Sequence, residues 1–361
     1  MQESIFSGLR VVELAGVLAG PAVGMFFAEL GAEVIKVENA TTGGDVTRRW
    51  KGPNESAGTA FSAYYASINY GKQVVMADLT QTADREKIYG LVDDCDVVIT
   101  NFRETSALKL GMDPATLRQR NAQLIVAELS AFGKGSARPA FDVVLQAEAG
   151  FLFMCGQPEQ LPAKMPVALI DLLAAHQLKE GVLCALIHRM RTGHGSVVRT
   201  SLLEAAISSL ANQATNWLMG QHIPQRMGTQ HPNIAPYGDM FTTRDDKSVI
   251  LAVGTQKQFE KLMAILDCQP DVGEDPRFAS NAERVRHREA LFAVLQPYIK
   301  AFSRDELLQK MEEAGVPAGA IRDMREVFEL PQARELLLRY SLPDGQPATC
   351  VRTVAFTMEN G

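Results

Sequence analysis

The sequence is poor in the features that usually announce a chemistry. Its five cysteines, Cys95, Cys155, Cys184, Cys268 and Cys350, are scattered, and no two share CxxC spacing. That leaves no recognisable zinc ribbon or redox dithiol and fits free thiols in a reducing compartment. No uncharged apolar run reaches the roughly 18 residues of a membrane-spanning helix, so no membrane partner is expected. Residues 1–16 lack a basic region followed by an apolar core, so no secretory leader is expected and the cytoplasm is the expected compartment. The net charge is −6 with no basic stripe, which argues against a nucleic-acid partner. Neither a GxSxG elbow nor an HExxH helix occurs, so serine hydrolases and zinc proteases lack support.

What is present is apolar material in a regular order. The chain has 361 residues, 46% of them hydrophobic, enough for a large core and for two domains or one large domain with an insertion. Residues 9–15 are a β-rich run, a helix is expected over about 18–30, and 32–38 read as the next strand. Residues 73–78, 96–100 and 124–129 are further strand candidates, with a polar helix over about 81–92. Short apolar strands alternating with helices predict an α/β doubly wound domain with a parallel sheet covered on both faces. Long helices are expected over about 171–190 and 202–219. An irregular loop at 221–238, a hairpin at 238–253 and a helix at 305–314 follow. These shifts divide the chain into a large domain at 1–220, a smaller domain at 221–325 and a C-terminal return segment at 326–361.

Four places carry candidate chemistry. The segment from Gly16 to Gly24 follows the first strand, where glycines let a backbone approach a phosphate. It lacks the GxGxxG fingerprint, and tight packing of helix on strand explains the same glycines. Asn101-Phe102-Arg103 closes a strand, the usual ligand edge of an open α/β sheet, with Lys109 one segment on. The same residues read equally as a loop with an exposed arginine. Asp171 stands between an apolar run and a long helix. A carboxylate there is either a helix cap or, if desolvated, a nucleophile toward an acyl carbon. His176 and Glu180 are four apart on that helix but lack the further ligands of a metal motif, so no metal is expected.

Several segments together resemble the class III CoA-transferase family, which includes the CaiB/BaiF proteins, formyl-CoA transferase and the α-methylacyl-CoA racemases. They are Gly8 through Pro21, Ala28 through Glu38, Gly43-Gly44-Asp45, Asn101-Phe102-Arg103 and Phe141 through Gly150. Arg191 through Gly195, Gly228 through Gly238, Asp275 through Phe278 and Ala314 through Gly319 complete the series. The resemblance implies a Rossmann-like large domain, a smaller α+β domain, and a homodimer whose two chains interlock as rings. It implies transfer of coenzyme A from an acyl-CoA to a carboxylic acid, with Asp171 carrying the acyl group as a mixed anhydride and then CoA as a thioester. CoA, a substrate with no tightly bound cofactor beside it, would lie along Val17, Leu18, Ala19, Asn39, Lys72, Asn101, Phe102, Arg103 and Lys109. Gly228, Thr229 and Gln230 would form a mobile loop that shields the intermediates from water. The racemase alternative needs a histidine where this chain has Phe141, beside Asp142. A nicotinamide oxidoreductase is the alternative from another class, weakened by the missing fingerprint.

Overall fold

A computed structural model describes residues 4–359. The chain divides into two compact units: Met1–Leu152, Lys164–Ile223 and Gln332–Gly361 form the first, Phe153–Ala163 and Pro224–Pro331 the second.

The first unit is built on six strands: β1 (Arg10–Glu13), β2 (Glu33–Asn39), β3 (Lys72–Ala77), β4 (Val97–Thr100), β5 (Ile125–Ser130) and β6 (Val197–Ser201). All pair in parallel, in the order β3-β2-β1-β4-β5-β6. The central strands read Val-Val or Val-Val-Ile because both faces are covered, and water meets neither. Alternation along each strand divides the two faces. Val11, Val97, Ile99, Ile125 and Ala127 face one core layer, and Val12, Val98 and Val126 the other.

Against the first layer lie α1 (Ala19–Glu29) and, from later elements, α4 (Leu169–Thr192). Among the helices between them in the chain are α2 (Ala63–Ala66) and α3 (Asp142–Glu148). After α4 come α5 (Leu202–Ser208) and α6 (Ala211–Gly220). The sequence predicts one helix over 202–219; the structure breaks it. Ser208 and Ser209 both turn their hydroxyls back onto the Ala205 carbonyl, and Ala211 takes φ +48°. Such back-bonding competes with the helical ladder, a local effect that the apolar periodicity conceals.

The second unit holds β7 (Tyr237–Thr242), β8 (Ser248–Ala252) and β9 (Ala318–Ala320) in one antiparallel sheet. Helices 256–266 and 288–299 cover it through Phe259, Leu262, Leu291 and Leu295. The C-terminal hairpin of β10 (Leu337–Ser341) and β11 (Pro347–Val351) belongs to the first unit, where Tyr340 donates to the Ala66 carbonyl. Among the described residues no helix is long and apolar enough to cross a membrane.

Candidate active site

The sheet order reverses at β1 and β4, and the chain leaves both strands on the same edge. A crevice opens there by geometry alone, because one strand sends its connection left and the other right. Asn101, just past β4, closes the crevice floor: its side chain accepts from Gly16 N at 3.2 Å and donates to Gly16 O at 3.0 Å. Beyond this clamp lies a cavity of about 770 Å³. Its wall includes Gly16 to Ala19, Asn101 to Glu104, Gly133 to Ser136, Phe141 and Asp171.

The glycine segment divides into a packed part and a cavity-lining part. An added Cβ at Gly20 would stand 2.4 Å from the Ala15 Cβ, and one at Gly24 would stand 1.9 Å from Glu13 Oε2. Those two glycines let α1 lie against β1. Residues 16–19, by contrast, line the cavity.

Asp171 sits in the first turn of α4 and is only 8% exposed. A carboxylate there would ordinarily cap the helix, but that work is done by another residue. Asp142 Oδ1 accepts from Ile170 N at 2.7 Å and from Asp171 N at 3.2 Å. Its Oδ2 accepts from Gln146, whose own carbonyl oxygen is fixed by Met165 N. The carboxylate of Asp171 is thereby released, and among the described residues no group donates a hydrogen bond to it. Burial, and after it the charge of Asp142, push Asp171 up to about 7. It is a carboxylate poised between its two protonation states at neutral pH, facing a cavity.

Aromatic side chains stand beside it. Trp50 packs edge-on against Tyr64 at 5.1 Å and against Phe141 at 6.0 Å between ring centroids. Burial first, then the charges of Asp171 and Asp142, push the Tyr64 phenol up to about 12, so it stays neutral.

Cations occupy the cavity rim. Arg103 and Lys134 are exposed, line the cavity and have no acidic partner among the described residues. Arg138 also lines it, stacked over Phe132 at 3.9 Å and paired with Glu148. Arg199 and Glu128, opposite each other on β6 and β5, form an ion pair of 2.6 Å in the wall.

Beneath the crevice lies a buried ionic network. Lys36 Nζ meets Glu13 Oε1 at 2.9 Å, Asp45 Oδ2 at 3.1 Å and the Ala15 carbonyl at 2.8 Å. Burial works against the Lys36 charge, but Glu13 and Asp45 outweigh it and raise its pKa. Lys72 Nζ meets Glu13 Oε2 at 2.8 Å and the Pro21 carbonyl at 2.8 Å. Its side chain is wholly buried, and burial lowers its pKa to about 8.

The expected CoA contacts thus separate. Val17, Leu18, Ala19, Asn101, Phe102 and Arg103 share the cavity with Asp171. Lys72 is absent from the wall because Glu13 holds it under α1. Asn39 and Lys109 are exposed and also lie outside the wall; Asn39 caps a short turn by accepting from Thr41 N. Gly228, Thr229 and Gln230 lie in the second unit. There Gly228 N donates to Gly156 O at 2.8 Å, Thr229 to Gly238 O at 2.6 Å and Gln230 to Asp239 at 3.1 Å.

Sequence reasoning missed Lys134, Arg138, Trp50 and Tyr64, and gave Asp142 no role as a cap. The Gly133-Lys134-Gly135-Ser136 turn after β5 was a usable signal, since it occupies the same strand edge as Asn101.

The chain matches the model of CoA-transferase family III over residues 6–360. It is 38% identical to a succinate–glutarate CoA-transferase of Agrobacterium fabrum, covering 96% of this chain and 88% of that one. It is 32% identical to a succinyl-CoA:mesaconate CoA-transferase of Haloarcula marismortui, covering 93% and 85%. Among solved structures, a CaiB/BaiF family protein from Brucella suis superposes with a TM-score of 0.87 at 38% identity, covering 99% and 93%.

Proposed function

The chain belongs to CoA-transferase family III, and from that premise we propose that its cavity takes an acyl-CoA whose thioester is opened by Asp171. The coarse activity, transfer of CoA between carboxylic acids, comes with the family. The covalent route is the proposal, and one observation carries it: a buried cavity-lining carboxylate whose neighbouring amides are satisfied by Asp142.

Asp171 attacks the thioester carbonyl, the C–S bond breaks and CoA thiolate leaves, giving a mixed anhydride. The thiolate attacks the aspartyl carbonyl of that anhydride and expels the donor carboxylate, leaving an aspartyl-CoA thioester. The acceptor carboxylate attacks the same carbonyl and frees the thiolate again. The thiolate then takes the acceptor's acyl carbon, and Asp171 returns as a carboxylate. Every step exchanges one activated acyl bond for another, so no ATP is consumed. A raised pKa suits the nucleophile, because a carboxylate with little solvation attacks readily, and the anhydride it forms remains an activated acyl bond. Arg103 and Lys134 fit the phosphates of CoA, and the named relatives make succinate, glutarate and mesaconate the acids to assay first.

A racemase would need a second acid or base at the α-carbon. Phe141 carries no transferable proton, and both oxygens of Asp142 are occupied. The test is Asp171→Ala with succinyl-CoA and glutarate. Transfer should fall by at least about a thousandfold while CoA still binds. Turnover near the wild-type rate would sink the covalent route.

We also propose a homodimer. No residue of α6 is buried, and Trp217, Leu218 and Met219 are 45%, 72% and 83% exposed. Such a helix needs a partner surface.

A further inference from the structure

Val17 adopts φ +74°, a left-handed conformation that a β-branched side chain rarely takes. Something must hold it there. Asn101 fixes the preceding residue, Gly16, through both of its backbone groups. Val17 itself is held by Asp45, whose Oδ2 accepts from Val17 N at 3.1 Å. That carboxylate is rigidly supplied. Its Oδ1 accepts from Thr47 N at 3.0 Å and Thr47 Oγ1 at 2.8 Å, and Lys36 Nζ stands 3.1 Å from Oδ2. Asp45 N in turn donates to Glu38 at 2.8 Å. Its packing is close as well: an added Cβ on Gly16 would lie 3.3 Å from Asp45 Oδ2. Asp45 is absent from the cavity wall, whereas Gly16 to Ala19 form part of it.

We propose that Asp45 is a positioning residue for the acyl-CoA: through its bond to Val17 N it fixes the path of residues 16–19 along the cavity. This rests on the reading that the cavity takes CoA. The chain of support runs from Lys36 and Thr47, through Asp45, to a strained turn, and the strain persists because those contacts over-determine it. Val17→Gly removes the steric cost of the turn, so the demand on Asp45 should fall with it.

The experiment is a double-mutant cycle read by calorimetric titration with free CoA, beside thermal melts. Asp45→Ala should weaken CoA binding about tenfold, the worth of one charge-assisted hydrogen bond. In the Val17→Gly background the same change should cost less than about threefold. Thr47→Val, which loosens the carboxylate and leaves the ion pair, should weaken binding by about two- to threefold with little change in melting. Equal factors in the two backgrounds, or melting that falls while CoA affinity holds, would overturn the positioning role. Should Asp45→Ala fail to fold, unchanged affinity in Thr47→Val overturns it alone. A wild-type protein that binds no CoA would remove the functional reading, and this proposal with it.

Discussion

At the scale of single residues, two aspartates have opposite duties. Asp142 spends its oxygens on the helix start, and Asp171 keeps its own free. Because burial is the main cause of the raised pKa of Asp171, its reactivity should follow pH directly. Single-turnover formation of an enzyme adduct should fall tenfold per unit below about pH 7 and level off above it. Stability should run the other way. The folded protein holds a proton between the ordinary 3.8 and about 7 that the unfolded chain has released, so stability falls as pH rises through that window. Asp171→Asn escapes this and should melt above wild type at pH 8, by up to about 4 kcal/mol, with the gap closing toward pH 4. Asp142→Asn keeps an acceptor for the helix amides but removes the neighbouring charge. The pH limb of the reaction should then move toward acid by only part of its displacement, since burial remains; a limb that stays in place would show that Asp142 contributes no field. The setting of Asp171 between an apolar run and a helix left a cap and a nucleophile both open, and the family resemblance singled it out. The sequence concealed the division of labour, because Asp142 lies 29 residues away and meets Asp171 only in the fold.

At the scale of elements, the parallel strands were legible because doubly covered strands are apolar at every position. Residues 11–12, 97–99 and 125–127 read as strands for that reason, and they form the centre of the sheet. Lys72 was named only by the family resemblance; its packing under α1 against Glu13 is a long-range contact that no local pattern encodes. Gly24 testifies to the same packing. Gly24→Ala would push a methyl group into Glu13 Oε2, from which an ideal Cβ is 1.9 Å. It should destabilise the fold by about 1–3 kcal/mol in denaturant titration, more than Gly90→Ala, where an added Cβ meets nothing within 4 Å. The loops at the strand ends carry cations that line the cavity and, unlike those in the parallel strands, have no acidic partner among the described residues: Arg103 and Lys134. Arg103→Ala and Lys134→Ala should each raise the Michaelis constant for an acyl-CoA severalfold with little change in turnover, and the loss should shrink at high salt. A turnover defect at constant Michaelis constant would place these residues at the chemistry and away from the phosphates.

At the scale of the whole molecule, the exposed apolar side chains of α6 are the feature that a single chain leaves unexplained. Native mass spectrometry should report a dimer, and charges introduced at Leu218 and Met219 should shift it toward monomer; a wild-type protein that is monomeric at micromolar concentration would contradict the pairing. The family resemblance spans nearly the entire chain, and the match over residues 6–360 agrees with it. The most direct measurement of the covalent route is mass spectrometry of the protein mixed with succinyl-CoA and trapped with hydroxylamine or borohydride, with the modified peptide sequenced. A modification is expected on the peptide that contains Asp171, absent from Asp171→Ala. CoA transfer that proceeds with Asp171 unmodified, or an adduct that persists in Asp171→Ala, would contradict that route.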